Sequence, residues 1–325
     1  RQNELEAFKT IDLRAFAADA LGYELDAKAS SPSSALMRGP GGNKIVIAVD
    51  RRDSHYVWFE VGGDAGGSII DLAQAHGAGS LGDVRKALRP YIGQASDPPR
   101  PSNFGGPLRP VERDAAAAQA QWLAMDELNT GRPPYLNNRR ELTPDTLDHP
   151  RFRGRIRIDT RGNAAFAHLA PGGDIVGFEL KNDGFTGFAK GGRKTAFVSR
   201  VTPTDDALVI AEAAIDVLSY AQMFGCDRRR FLSLGGQVSP EQLELVAAAT
   251  TKAPSGAHVL LALDNDAGGR NLAEKLGSII RGVGRRDLSV QLHMPPFEGL
   301  DWNDALRERL DRGRHASPPP PEPGG

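Results

Sequence analysis

The chain has 325 residues, of which 40% are hydrophobic, and its formal net charge at pH 7 is −1. The length allows two or three domains with their own cores, and the single cysteine, Cys226, excludes internal disulfides and a cysteine-based zinc site. A reducing compartment fits the lone thiol, and the lack of a signal peptide or a long apolar run predicts a cytoplasmic protein without a membrane partner. The chain begins with Arg1 instead of Met, which indicates a trimmed terminus or a fragment.

Residues 1–94 are predicted to form a small α+β unit. Apolar residues at helical spacing predict a helix over Leu5–Leu21 that ends at Gly22. Lys44–Val49 and Tyr56–Val61 are predicted to pair as a hairpin, and Ser68–Gln74 is predicted to open a second helix.

Residues 95–128 are predicted to be a linker followed by a helix. The stretch 95–110 is rich in proline, glycine and serine, whereas 111–128 is rich in alanine and glutamine. Residues 129–200 are predicted to form a second α+β unit, with short helical segments before short strands. The predicted strands are Phe152–Ile158, Ala164–Leu169, Ile175–Leu180 and Thr195–Ser199.

Basic residues dominate this second unit, although the net charge of the chain does not by itself indicate a nucleic-acid-binding protein. They are Arg151, Arg153, Arg155, Arg157, Lys181, Lys190, Arg193 and Lys194. Arginines at alternate strand positions share one face, and a one-sided basic face favours contact with the backbone of single-stranded DNA. The alternative is a solvated sheet face.

Residues 201–312 alternate strands with helices, which predicts an α/β domain with a mainly parallel sheet and helices on both faces. The predicted strands Leu208–Ala211 and Val259–Leu263 both run into acidic residues. These acids are Glu212, Asp216, Asp264 and Asp266. Residues 313–325 are rich in proline and are predicted to be a disordered tail.

The carboxyl ends of parallel strands meet at one edge of a sheet, so we expect these acids to lie around one point. Such a cluster repels itself unless a cation sits in it, and oxygen ligands without Cys or His suit Mg²⁺ or Mn²⁺. The alternative is that acids after strands only cap helices, as Glu212 or Asp264 alone would be expected to do.

These residues resemble the Toprim domain, which bacterial primases, topoisomerases, overcoming-lysogenisation-defect nucleases and RecR-type repair proteins share. Its pattern is a Glu that closes the first strand, a second acid four residues later, and an Asp-x-Asp pair with a following glycine. The matching residues are Glu212, Asp216, Asp264, Asp266 and Gly268. Further along, Asp301-Trp302-Asn303-Asp304 resembles the Asp-Pro-Asn-Asp signature of primase-type Toprim domains.

The resemblance implies metal-assisted phosphoryl transfer with Glu212, Asp264 and Asp266 as catalytic residues. It implies an ion held by Asp264, Asp266 and either Asp301 or Asp304, with Glu212 as a general base or as a ligand of a second ion. Asp216 is then a further group for a second metal. The implied metal set is Glu212, Asp216, Asp264, Asp266, Asp301 and Asp304.

The N-terminal unit resembles the zinc ribbon at the front of bacterial primases, in the frame given by Tyr56, Phe59, Gly67, Ile70 and Asp71. The positions of the zinc ligands hold Met37, Pro40, Trp58 and Val61, none of which binds zinc. We therefore predict a unit without zinc, in which Met37, Trp58 and Val61 fill the space instead.

Residues 151–156, Arg-Phe-Arg-Gly-Arg-Ile, resemble the arginine series that precedes Toprim in bacterial primases. The whole chain resembles Toprim proteins of plasmids and integrative elements. This implies a primase-like, Mg²⁺-dependent nucleotidyltransferase that uses single-stranded DNA and nucleoside triphosphates, with a helicase or relaxase as partner. A Toprim nuclease and a non-catalytic DNA-binding accessory protein remain as alternatives.

Overall fold

A computed structural model describes residues 2–50, 54–61, 65–92, 104, 106–110, 113–128, 133–236 and 238–315. The chain forms two compact units, residues 1–112 and 113–325. The predicted boundary between 200 and 201 therefore falls inside one unit. Most of the predicted linker 95–110 and the tail beyond 315 lie outside the described residues. Within the described ranges, no helix combines the length and apolarity that crossing a membrane requires.

In the residues that the structure describes, the first unit is an antiparallel five-stranded sheet with four α-helices and a 3₁₀ turn at Arg89–Tyr91, and its strands follow one another in chain order, β1 to β5. Its elements are α1 Gln2–Lys9, α2 Leu13–Leu21, β1 Glu24–Leu25, β2 Ser34–Arg38, β3 Lys44–Val49, β4 Tyr56–Glu60, β5 Gly66–Gly67, α3 Ile69–Ala75 and α4 Leu81–Leu88. The predicted hairpin is confirmed as β3 and β4. The single predicted N-terminal helix is wrong, because the Asp12 side chain accepts a hydrogen bond from the Arg14 amide and starts a new helix.

The core of this unit contains two of the three residues predicted to replace zinc. Met37 is 0% exposed and Trp58 is 3% exposed, and both belong to the same apolar cluster. Val61, however, is 50% exposed and does not fill that space, so the prediction for Val61 is wrong. Trp58 also donates its indole N–H to the Ser68 carbonyl at 3.1 Å, which satisfies its polar group inside the core.

The second unit contains two sheets. Its elements are α5 Ala115–Leu123, β6 Asp126–Glu127, α6 Pro144–Leu147, β7 Ile156–Ile158, β8 Ala164–Leu169, β9 Ile175–Asn182, β10 Phe185–Phe188, β11 Phe197–Val198, β12 Ala207–Ala211, α7 Ala214–Phe224, β13 Arg229–Ser233, α8 Pro240–Thr251, β14 His258–Ala262, α9 Ala267–Gly282, β15 Ser289–His293 and α10 Trp302–His315. A π-helical turn, Tyr135–Arg139, precedes α6. Strands β6 to β10 form an antiparallel sheet in chain order.

The other sheet has the order β11-β13-β12-β14-β15, in which β13, β12, β14 and β15 are parallel and β11 is antiparallel. Alternate residues of β12 enter different cores. Val209 packs in a cluster with residues of α7 and α10. Ile210 packs in a cluster with residues of α8 and α9. Helices thus cover both faces of the sheet, as predicted, and ligands of such sheets bind at the carboxyl edge.

Candidate metal and active site

The two acidic strand ends are neighbours in the sheet. Strands β12 and β14 pair in parallel, with Ala211 opposite Ala262. Glu212 follows β12 directly, and the Asp264 amide donates to its Oε1 at 3.2 Å. This bond joins the ends of the two strands at the carboxyl edge of the sheet.

Asp216 lies in the first turn of α7 and is only 5% exposed. Its Oδ2 accepts a hydrogen bond from the Ala213 amide at 3.1 Å. The pKa of this carboxyl is raised to about 8, mainly by burial and in part by the negative charges of Asp301 and Glu212, whereas the Ala213 hydrogen bond and Arg140 oppose the rise. Asp216 therefore lies in the same electrostatic cluster as the strand-end acids.

Asp264 is the acid whose pKa is raised by all the other acids of the cluster. Burial is the main cause that raises its pKa to about 9, and the charges of Asp216, Glu212, Asp301 and Asp266 add to it. Its Oδ1 is buried and lacks a hydrogen-bond partner among the described residues. A buried carboxylate oxygen without a donor is costly, and a bound cation would satisfy it.

Two further acids cap helices. Asp266 Oδ1 accepts from the Gly269 amide at 2.7 Å, at the start of α9. Asp301 Oδ1 accepts from the Asp304 amide at 2.6 Å, at the start of α10. The capping alternative thus applies to these two acids, whereas Glu212 and Asp264 cap no helix. Asp301 also belongs to the cluster, because burial raises its pKa and it acts on Asp216 and Asp264.

Among the described residues, no three His, Cys, Asp or Glu side chains stand in an arrangement that would hold a metal ion without adjustment. The donor chemistry nevertheless fits a hard divalent cation. The cluster offers only oxygen ligands, its members raise one another's pKa, and it contains the unpartnered Asp264 Oδ1. Ion binding would therefore require side-chain rotations within the cluster and no change of ligand type.

Asn265, between the two aspartates of the Asp-x-Asp pair, connects this strand end to the segment that leads to Asp301. Its amide donates to the Leu300 carbonyl at 3.0 Å and its carbonyl accepts from the Gly299 amide at 2.7 Å. Its side chain donates to the Pro295 carbonyl at 2.9 Å. Asp301 is in this way held against the Asp-x-Asp pair.

Arg140 and Asn303 are site residues that sequence reasoning missed. Asn303 is fully buried, and its side-chain amide donates to the Arg140 carbonyl at 2.8 Å and to Ser219 Oγ at 3.0 Å. Arg140 Nη1 in turn donates to Asn303 Oδ1 at 3.3 Å, and its charge acts on both Asp216 and Asp301. Asn303 stands in the Asp-x-Asn-Asp motif and could have been found there, whereas no local pattern marks Arg140.

Comparison with known protein families matches residues 209–306 to the family described as Toprim-like. This stretch contains the acids just described, from the strand before Glu212 to the helix after Asp301. Residues 209–306 form a Toprim-like domain. Residues 134–204, which contain Arg140, match a family described as a protein of unknown function, DUF3991.

Among solved structures, the chain is similar to the primase fragment of the bacteriophage T7 primase-helicase protein. The identity is 19%, the TM-score is 0.42, and the match covers 58% of this chain and 76% of that one. It is also similar to the DnaG catalytic core, with 15% identity, a TM-score of 0.38 and coverage of 61% and 78%. For the RNA polymerase domain of Mycobacterium tuberculosis primase DnaG, the identity is 16%, the TM-score 0.32 and the coverage 61% and 72%. Among curated proteins, no sequence matches this chain.

A glycine turn after β13 supports the first acid of the Toprim-like domain. The amides of Gly235 and Gly236 donate to the Glu212 carbonyl at 2.7 and 3.1 Å. Gly235 has φ +70°, and a Cβ there would lie 2.5 Å from Oε1 of the buried Glu179. Both the backbone conformation and the close approach therefore require glycine at this position.

We expect Gly235→Ala to destabilise the second unit by about 1–3 kcal/mol, because the left-handed backbone would be strained in alanine and the new Cβ would also clash with Glu179. The measurement is the free energy of unfolding in urea. Gly236→Ala is the matched control, since Gly236 has φ +82° but no atom lies within 4 Å of its added Cβ. Equal losses in both variants would show that the contact with Glu179 contributes nothing.

The structure corrects the predicted arginine face. Strand β7 begins at Ile156, so Arg151, Arg153 and Arg155 precede it and do not alternate along one strand. Arg151 is 6% exposed and forms a buried ion pair with Asp205, with Nη1 to Oδ2 at 2.8 Å. Its guanidinium therefore holds the fold together and is withdrawn from the predicted nucleic-acid surface.

Most other members of the basic set are also held by neighbours. Arg157 donates to the main-chain carbonyls of Trp122, Leu123 and Met125 at 2.9–3.2 Å. Arg193 Nε lies 3.3 Å from Glu241, and Lys181 Nζ lies 3.8 Å from Glu179. Burial lowers the pKa of Arg155 and of Lys194. Of the eight predicted residues, Arg153 and Lys190 are the two classed as exposed.

Proposed function

We propose that the chain is a primase-like nucleotidyltransferase that depends on Mg²⁺ or Mn²⁺ and acts on single-stranded DNA. The observation that carries this proposal is the cluster of mutually repelling acids at the carboxyl edge of the Toprim-like sheet, with its unpartnered Asp264 oxygen. The sequence resemblance to Toprim proteins of plasmids and integrative elements supports a role in replication or transfer of such elements, with a helicase or relaxase as partner.

In this proposal Asp264, Asp266 and Asp301 hold the cation, and Asp304 lies one turn behind. Asp266 and Asp301 each engage one oxygen in a helix cap, which fixes the orientation of the carboxylate. A bound divalent cation would neutralise the triphosphate and the charge that develops during transfer.

Glu212 is the proposed general base, or a ligand of a second ion together with Asp216. Its backbone carbonyl is held by the glycine turn, and its Oε1 receives the Asp264 amide, so its side chain is oriented before substrate binds. Asp216 is buried behind it, and its charge is available to a second cation only when its proton is displaced.

Arg153 and Lys190 are the proposed phosphate contacts. Replacing both with Ala should weaken single-stranded DNA binding about equally for every base sequence, because phosphate contacts carry no sequence information. The slope of log affinity against log salt should become shallower by about 0.7 per lost contact. Fluorescence anisotropy at several salt concentrations measures both effects.

The matched control for this pair replaces Lys252 and Lys275 with Ala, two exposed lysines at the end of α8 and on α9. This control changes the net charge equally. If it reduces the slope as much as the Arg153 and Lys190 pair does, only overall charge matters and the two residues form no specific contact.

The experiment that tests the proposed function is primer synthesis on single-stranded DNA with labelled ribonucleoside triphosphates, with and without Mg²⁺. Metal-dependent extension products support it. Cleavage of the DNA without synthesis would replace it with the nuclease alternative. DNA binding without either reaction, at any divalent cation, would replace it with the accessory-protein alternative.

A further inference from the structure

The segment from Pro295 to Leu300 presents an aromatic ring beside the acid cluster. Phe297 is 54% exposed, more than the other exposed phenylalanines of the described residues, which are Phe59, Phe185 and Phe224. It lies four residues before Asp301, so its Cα is within about 14 Å of that acid even at full extension. A single exposed ring does not by itself indicate a binding site. The contacts that hold this segment are the second observation.

The Phe297 segment is bound firmly to the strand end that carries the Asp-x-Asp pair. Asn265 contacts it through its amide, its carbonyl and its side chain, at Leu300, Gly299 and Pro295. Arg270 adds two bonds, to Asn265 Oδ1 at 3.1 Å and to Glu298 Oε1 at 2.9 Å. These contacts hold Pro295, Glu298 and Leu300 in place while the Phe297 ring between them stays in solvent.

An arginine lies beside the ring. The Arg312 guanidinium lies 5.8 Å from the Phe297 ring centroid and also pairs with Glu308 at 3.1 Å, and Arg270 pairs with Glu298, the residue after Phe297. An aromatic ring with an arginine beside it is the combination that binds a stacked base and its phosphate.

We propose that Phe297 is a stacking platform for a nucleobase, belonging either to the single strand or to the incoming nucleotide. This deepens the proposed function and rests on it, because a cation held by the acid cluster would bind phosphates of the same ligand. The ring supplies sequence-tolerant affinity, since every base has a π-face to stack. The Asn265 contacts keep the ring at a fixed distance from Asp264 and Asp266.

The test compares the full chain with its Phe297→Ala variant in Mg²⁺, with each ligand added alone so that no primer can be made. The ligands form two pairs, each of which compares a ligand that has a base with one that lacks it. One pair is an oligothymidylate and an abasic oligomer of equal length, and the other is ATP and inorganic triphosphate. We expect Phe297→Ala to weaken binding of a base-bearing ligand about tenfold and to leave its baseless counterpart unchanged. Phe297→Trp should restore binding.

Leu292→Ala is the matched control, because Leu292 is an exposed apolar residue of the nearby β15, at 52% exposure. A loss confined to the oligomer assigns the platform to the strand, and a loss confined to ATP assigns it to the incoming nucleotide. No loss with either base-bearing ligand, or an equal loss with the baseless ones, overturns the stacking role. A parent chain that binds none of the four ligands contradicts the proposed function itself.

Discussion

Replacing Asp264 with Asn is expected to abolish nucleotidyl transfer, with a loss of at least about 10³-fold. The cation would supply several kcal/mol of stabilisation to the developing charge, and each 1.36 kcal/mol corresponds to about a factor of ten in rate. Asp264 is the acid on which Asp216, Glu212, Asp301 and Asp266 all act, so its loss removes the centre of the cluster. Initial rates of primer synthesis measure the effect.

The same variant should be more stable than the parent in EDTA at pH 8. At this pH the parent must take up a proton at Asp264 on folding, because the pKa of that carboxyl is about 9, whereas an amide is neutral without one. We expect the unfolding midpoint of the second unit to rise by a few degrees, since about 1 kcal/mol shifts a chain of 150–250 residues by about 2–4 °C. Asp145→Asn, an exposed change on α6, is the control. Lost activity together with lost stability would instead indicate damage to the fold.

The second large effect is a fall in stability as pH rises when divalent cations are absent. The pKa values of Asp216 and Asp264 are raised to about 8 and about 9 in the folded chain, and that of Asp301 is raised as well. Groups with a raised pKa bind more protons in the folded state, so their stabilisation is complete below the ordinary carboxyl pKa near 4. It is lost as pH rises toward 8 and 9.

Urea unfolding at pH 7, 7.5, 8 and 8.5 in EDTA measures this fall. Mg²⁺ should restore stability most strongly at the highest pH, because a cation replaces the protons that the cluster otherwise needs. Asp264→Asn should flatten the pH dependence. A parent whose stability is constant over this range, with and without Mg²⁺, would show that the acids do not repel one another as described.

The main outline of the Toprim-like domain could be predicted because local patterns dominate there. Short apolar runs that end in acids predict strands β12 and β14, and parallel pairing then brings Glu212 and Asp264 to one edge. The first residues of α8 and α9 could also be predicted, because Ser239 and Asp266 are ordinary N-cap residues for these helices. The Toprim-like match over residues 209–306 agrees with this prediction.

The residues that escaped prediction act through contacts distant in sequence. Arg140 is hydrogen-bonded to Asn303, which lies 163 positions away in the sequence, and Arg151 is bonded to Asp205, which lies 54 positions away. Alternating arginines suggested a strand face, yet tertiary pairing placed each of them differently, and β7 is only three residues long. Periodicity gives no information about such partners, because it reports the local backbone and not the distant charge that a side chain meets.

The cation site can be tested by calorimetric titration of Mg²⁺ into the parent chain and into Asp264→Asn at pH 8. We expect saturable binding to the parent with release of protons, since a cation displaces the protons that Asp216 and Asp264 hold at this pH. We expect weak or no binding to Asp264→Asn. Parent and variant that bind Mg²⁺ equally, or a parent that binds none, would contradict the claim that these carboxylates form a cation site.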